Sequence, residues 1–227
     1  MKPHNQSDVL DRSRVGGLEI DEAPRRVLRN TYTLLALNLG TSSLIAGASA
    51  MMGLSHPGII ITLVGYFGLL FLVTKFRNSP AAIGLTFLLT GFMGYTLGPI
   101  INHYLQFSNG GQIVTMALAG TAATFGGISL WSMTTKRDLT GMGSYLTAGI
   151  LTAFVLSLVA YFFSMPALSI AVSAMFVVLM AGLIAYQTQQ IVNGGETNYV
   201  MATITLFVSI YNLFLSLLQI LGFASSD

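Results

Sequence analysis

The 227-residue sequence contains no cysteine. That excludes disulfides, thiol catalysis and cysteine-ligated metals. Charge is the second scarcity: only 8% of the residues are Asp, Glu, Lys or Arg, against about 25% in an average soluble domain. A soluble fold so poor in charge has too little polar surface to face water. Enzyme signatures are missing as well. There is no G-x-x-x-x-G-K-[ST] phosphate loop, no H-E-x-x-H zinc helix and no G-x-S-x-G nucleophile turn. Beyond Asn30 the acids are Asp138, Glu196 and Asp227, in loops or at the terminus, so no pair of carboxylates stands within an apolar run to do acid–base work. His56 and His103 lie near breaks between apolar runs, with no ligand cluster beside either. The chain is expected to be no enzyme, with no catalytic residue, metal site or cofactor, and no nucleic-acid partner.

What the sequence does have is apolar length. Hydrophobic residues make up 53% of the chain and the mean hydropathy is +0.73. A bilayer core about 30 Å thick needs roughly 20 helical residues to cross it. Apolar runs meet that need near 28–52, 57–74, 81–101, 112–133, 143–163, 166–190 and 200–223. Turn-forming breaks divide them, among them Leu54-Ser55-His56-Pro57-Gly58, Asn78-Ser79-Pro80 and Asn193-Gly194-Gly195. The expected fold is an all-α polytopic membrane protein with seven transmembrane helices and the lipid bilayer as its solvent.

Residues 1–27 read as a polar, mostly disordered tail, helical toward its end, and 28–227 as the seven-helix transmembrane domain. Residues 1–29 hold six of the ten basic residues and five of the eight acids. Orientation follows from the basic residues. Arg25, Arg26 and Arg29 precede the first span, Lys75 and Arg77 follow the second, and Lys136 and Arg137 follow the fourth. The breaks after spans one, three and five carry neither Lys nor Arg. This positive-inside pattern puts the N-terminus in the cytoplasm and, after seven crossings, the C-terminus outside it. The sixth break, 192–198, has no basic residue, so a re-entrant last segment is the alternative.

The last span carries Thr205, Ser209, Asn212, Ser216 and Gln219 at spacings of four, three, four and three, which places all five on one helix face. Amide groups facing lipid would go unsatisfied, so this face is expected to point into the bundle. It serves either as polar glue between helices or as the wall of a hydrated cavity or ion path. Tyr186, Gln187, Gln189 and Gln190 end span six and are placed to face the last helix near its cytoplasmic end. Gly94 and Gly98 form a G-x-x-x-G on span three, a close helix contact or a homo-oligomer face, and Gly98-Pro99 kinks or ends that helix. Trp131 reads as an interfacial anchor.

Several ordered motifs support a resemblance from about residue 24 to the C-terminus. They are Val27-Leu28-Arg29-Asn30-Thr31-Tyr32, the run Thr90–Ile100 (TGFMGYTLGPI), Gly194-Gly195-Glu196-Thr197-Asn198-Tyr199, Ser209-Ile210-Tyr211-Asn212 and Leu221-Gly222-Phe223-Ala224-Ser225. On these the chain resembles the transmembrane Bax-inhibitor-motif family, and within it the bacterial branch that modulates the FtsH protease. The resemblance implies seven helices with the last one central in the bundle. Many family members carry two aspartates that form a pH-sensitive latch for a calcium leak. The matching positions here are Gln187 and Ser209, which do not ionise, and Lys75 or Arg77 stands where the family places a basic residue against that latch. The bacterial branch implies a different role: an inner-membrane modulator, inhibitor or slow substrate of the ATP-dependent protease FtsH and its partner complex HflKC, gripped through the N-terminal tail. A calcium or proton leak without the latch is the alternative.

Overall fold

The computed structural model describes residues 22–225; the expected disorder of the tail before them, and Asp227, lie outside the described residues. Seven helices follow one another: α1 (Glu22–Met51), α2 (Ile59–Lys75), α3 (Ala81–Leu105), α4 (Gly110–Thr134), α5 (Met142–Phe162), α6 (Pro166–Val192) and α7 (Tyr199–Ala224). Six are long and apolar enough to cross a bilayer. Large apolar side chains such as Leu44, Ile60, Val64 and Val178 face outward, as a hydrocarbon solvent permits and water does not. The chain is an all-α polytopic membrane protein built as a seven-helix bundle.

Two helix starts fall away from the ends of the apolar runs. Helix α1 begins at Glu22, inside the segment assigned to the tail. An acid in the first turn, a proline where the backbone N–H has no helical partner, and an exposed Glu22–Arg26 pair at 3.0 Å all favour a helix start there. Helix α2 has only 17 residues, about 25 Å of rise. Gly58 sets its start: φ is +88 there, a backbone state open to glycine and strained for other residues. The His56 imidazole Nδ1 accepts the Gly58 N–H at 3.0 Å. The preceding segment folds back far enough for the Tyr95 hydroxyl to donate to the Ser55 carbonyl.

Packing does not follow chain order. α1 packs along α3, and α2 rests on the other side of α3. α7 packs against α1, α3, α4 and α6, while α5 lies outside on α6. Leu206, Leu213 and Leu218 of α7 have no exposed surface and Phe207 almost none, so the last helix is central.

Gly94 and Gly98 serve the α1–α3 contact. A Cβ at Gly94 would collide with the Ser42 carbonyl, and one at Gly98 would lie 2.8 Å from the Ala46 carbonyl and closer still to Ser49. The motif is filled from within the chain, by α1. Pro99 does not end α3, which continues to Leu105. Proline removes the N–H that would bond the carbonyl four residues back, that of Tyr95. The Ser49 hydroxyl donates to this carbonyl at 3.0 Å, a side-chain repair that lets proline stand within a membrane helix.

One end of the bundle gathers the basic loops. The Asn198 amide donates to the Arg77 carbonyl and to Asn78 Oδ1, and Gln189 holds the Arg137 carbonyl. α7 starts at this end and reaches Tyr104, at the opposite end of α3, through Gly222. The last segment therefore crosses the whole bundle and is not re-entrant.

Candidate functional site

The five polar residues of α7 do not share one fate. Ser209 is fully buried and donates to the carbonyl of Thr205 on its own helix. Asn212 donates to the Val208 carbonyl, and its side-chain oxygen accepts no hydrogen bond among the described residues. Gln219 is held from both sides by α6, accepting from the Ser173 hydroxyl at 2.6 Å and donating to Ser169. Ser216, Asn212 and Gln219 line a cavity of about 160 Å³ with Ser157, Ser169 and Ser173. It adjoins a wider cleft of about 540 Å³ at the end away from the basic loops, lined by His103, Tyr161, Ser164, Ser169 and Gln219. Gln219 thus ties α7 to α6 and, with Asn212 and Ser216, lines a polar recess, while Ser209 bonds within its own helix.

The end of α6 behaves differently from the expectation. Gln189 turns to the α4–α5 loop, where its side-chain oxygen accepts the Leu139 N–H at 2.7 Å and its amide donates to the Arg137 carbonyl at 2.6 Å. Two backbone groups of a short loop need partners, and one glutamine supplies both. In that loop the Asp138 carboxyl is held below its usual range by the hydroxyl and backbone N–H of Thr140. Tyr186 lies against Gly143 at the start of α5. Trp131 is exposed at the same end.

Gln187 is buried with its amide nitrogen unpartnered among the described residues, as are the hydroxyls of Thr31 and Ser129. No hydrogen bond joins Gln187 to Ser209. Thr203 of α7 donates to the Thr31 carbonyl.

The Gly194–Asn198 loop is a closure for the basic end. Gly194 has φ +74, and a Cβ on Gly195 would collide with Gln190. Glu196 accepts the Asn198 N–H at 2.7 Å. Asn198 caps α7 by accepting from Val200 and Met201, and its amide ties the loop to Arg77 and Asn78. Lys75 lies over the Phe76 ring, 5.8 Å from its centroid. Asn198→Ala is expected to cost about 1–2 kcal/mol for the cap and to free the Arg77 loop. Asn198→Asp keeps the cap and loses only the tie. Limited proteolysis between Lys75 and Ser79 tells them apart: both variants are cleaved faster than wild type, and only the alanine variant also lowers the unfolding temperature.

The sequence reading missed a second polar centre. Asn38 of α1 is fully buried; it donates to the Leu34 carbonyl at 2.8 Å and accepts from the Thr90 hydroxyl at 2.7 Å, with Thr86 at 3.4 Å. The available signal was an isolated carboxamide within an apolar span, which needs a partner at that depth.

Comparison with known proteins now identifies the relatives. The chain is 48% identical over 202 residues, 89% of its length and 92% of the relative's, to the modulator of FtsH protease YccA of Escherichia coli. It is 51% identical over 201 residues to an uncharacterized protein of Pseudomonas aeruginosa, covering 88% and 90% of the two chains. A membrane protein of Vibrio cholerae is 36% identical over 216 residues, 95% of this chain and 97% of its own. The family profile described as inhibitor of apoptosis-promoting Bax1 matches residues 24–226. With nearly the whole bundle matched, the chain belongs to that family.

Proposed function

We propose that this protein is an inner-membrane modulator of the membrane-anchored protease FtsH and its HflKC partner complex, acting in membrane-protein quality control. The observation that carries this reading is the likeness, over 89% of the chain, to a relative named a modulator of FtsH protease. The positive-inside pattern puts the N-terminal segment in the cytoplasm and the C-terminus in the periplasm, so an ATP-driven protease meets residues 1–21 first. The bundle behind that segment resists extraction: its centre is hydrogen-bonded across α1–α3, α1–α7 and α6–α7. A substrate that is gripped and not pulled out occupies the protease and so restrains it.

Removal of residues 1–20 is expected to slow the protein's own turnover several-fold in cells with active protease, while detergent-solubilised bundle keeps its unfolding temperature. Mild-detergent purification of the full chain is expected to bring FtsH with it. Unchanged turnover together with no co-purified protease overturns the proposal.

A cation leak along α7 is the second reading, favoured by the polar recess at Ser173, Asn212 and Gln219. It requires cation flux in liposomes above the empty-liposome level across pH 6–8, changed by substituting Asn212 or Gln187.

A further inference from the structure

A cavity of about 360 Å³ lies between α2, α3, α5, α6 and α7, at the depth of the apolar spans. Its wall is aromatic: Tyr66, Phe67, Phe92, Phe154, Phe176 and Tyr211. Phe67 of α2 and Phe154 of α5 meet edge to face at 5.9 Å. Phe67 and Leu151 on its rim are exposed, so it opens sideways toward lipid. α2 makes this opening possible, because it is short and packs chiefly on α3.

The polar groups in this wall are few and unequal. The Tyr211 hydroxyl pairs with the Thr96 hydroxyl at 3.3 Å. The Asn212 side-chain oxygen accepts nothing, and the Tyr66 hydroxyl has no hydrogen-bond partner among the described residues; both residues line the cavity. Hydrogen-bonding groups left bare at membrane depth are costly. A mainly apolar hollow with a few unfilled polar groups, here two, is the usual form of a small-ligand site.

We infer that this cavity binds a long-chain alcohol from the bilayer, its hydroxyl donating to Asn212 and its apolar body lying among the aromatic rings. An acceptor oxygen calls for a donor. The aromatic lining, with Leu63, Ile150 and Leu183 beside it, calls for an uncharged body. Diacylglycerols and isoprenoid alcohols share this chemistry.

The test uses the full chain in lipid nanodiscs and a photoreactive, clickable hexadecanol, with labelled peptides located by mass spectrometry. Labelling is expected at Tyr66–Phe67 and around Phe154 and Phe176. Excess hexadecanol is expected to compete it away and hexadecane is not; dioleoylglycerol and farnesol, added separately, show which body fits. Asn212→Leu is expected to weaken alcohol competition about three- to tenfold, the effect of one lost hydrogen bond. Equal competition by hexadecane, or labelling spread over outward positions such as Leu44, Leu130 and Val178, shows annular lipid only and overturns the inference. The wild-type competition decides this whether or not the variant folds.

Discussion

Gly98→Leu is expected to separate α1 from α3 and to cost about 3 kcal/mol or more of bundle stability. No rotamer relieves it, because the collision begins at Cβ and involves the Ala46 carbonyl and Ser49. The same displacement pulls the Ser49 hydroxyl from the Tyr95 carbonyl, which Pro99 has left without its helical partner. Backbone contact and proline repair therefore fail together. Gly98→Ala is expected to show the smaller form of the effect, about 1–3 kcal/mol. Gly47→Ala on α1 is the control: nothing lies within 4 Å of a Cβ there, and the change is expected to be neutral or to stabilise by about 0.5–1 kcal/mol. Thermal unfolding in detergent ranks the three. Equal losses for Gly98→Ala and Gly47→Ala would remove the close-contact role of the motif.

The second large effect is expected at Asn38, where two substitutions of similar size diverge. Asn38→Leu removes the bonds to Thr90 and Thr86 and fills the space with apolar atoms. Both hydroxyls keep an acceptor on their own helix, at Phe87 and Ile83, so the expected loss is only about 1–2 kcal/mol. Asn38→Asp keeps the shape and introduces a charge with no cation beside it. A carboxylate deep in a span costs about 2.5–3.5 kcal/mol even on the lower, insertion-based scale. The aspartate variant is thus expected to express poorly and unfold early while the leucine variant resembles wild type. If leucine is the worse of the two, the polar network and not the buried charge governs this site.

Both effects sit in the α1–α3 contact, and neither residue's partner was visible along the chain. Gly94 and Gly98 read as a helix contact by their spacing, but whether the partner was another copy or this same chain is decided only where Ser42, Ala46 and Ser49 arrive from α1. Asn38 is a single buried carboxamide among the threonines and serines of α1, and its partners stand 48 and 52 residues away. Gln189 read as a neighbour of α7, yet the open backbone groups of Arg137 and Leu139 claim it. The α7 stripe was legible because five polar residues repeat at helical spacing, and a repeated pattern survives without knowledge of neighbours.

The sequence by itself determined the solvent, the number of helices and the inward face of the last one, while that helix's place at the centre was implied by the family resemblance. The first three follow from apolar length set against bilayer thickness and from polar periodicity on one face, which are properties of single segments. The tertiary structure decided which helices touch, which polar groups are satisfied and which are left to face a cavity. Those depend on pairs of segments far apart in the chain. α1 chooses α3 over α2 because small residues on both let their backbones approach, and that choice leaves short α2 outside and the aromatic hollow beside Asn212 open to the membrane.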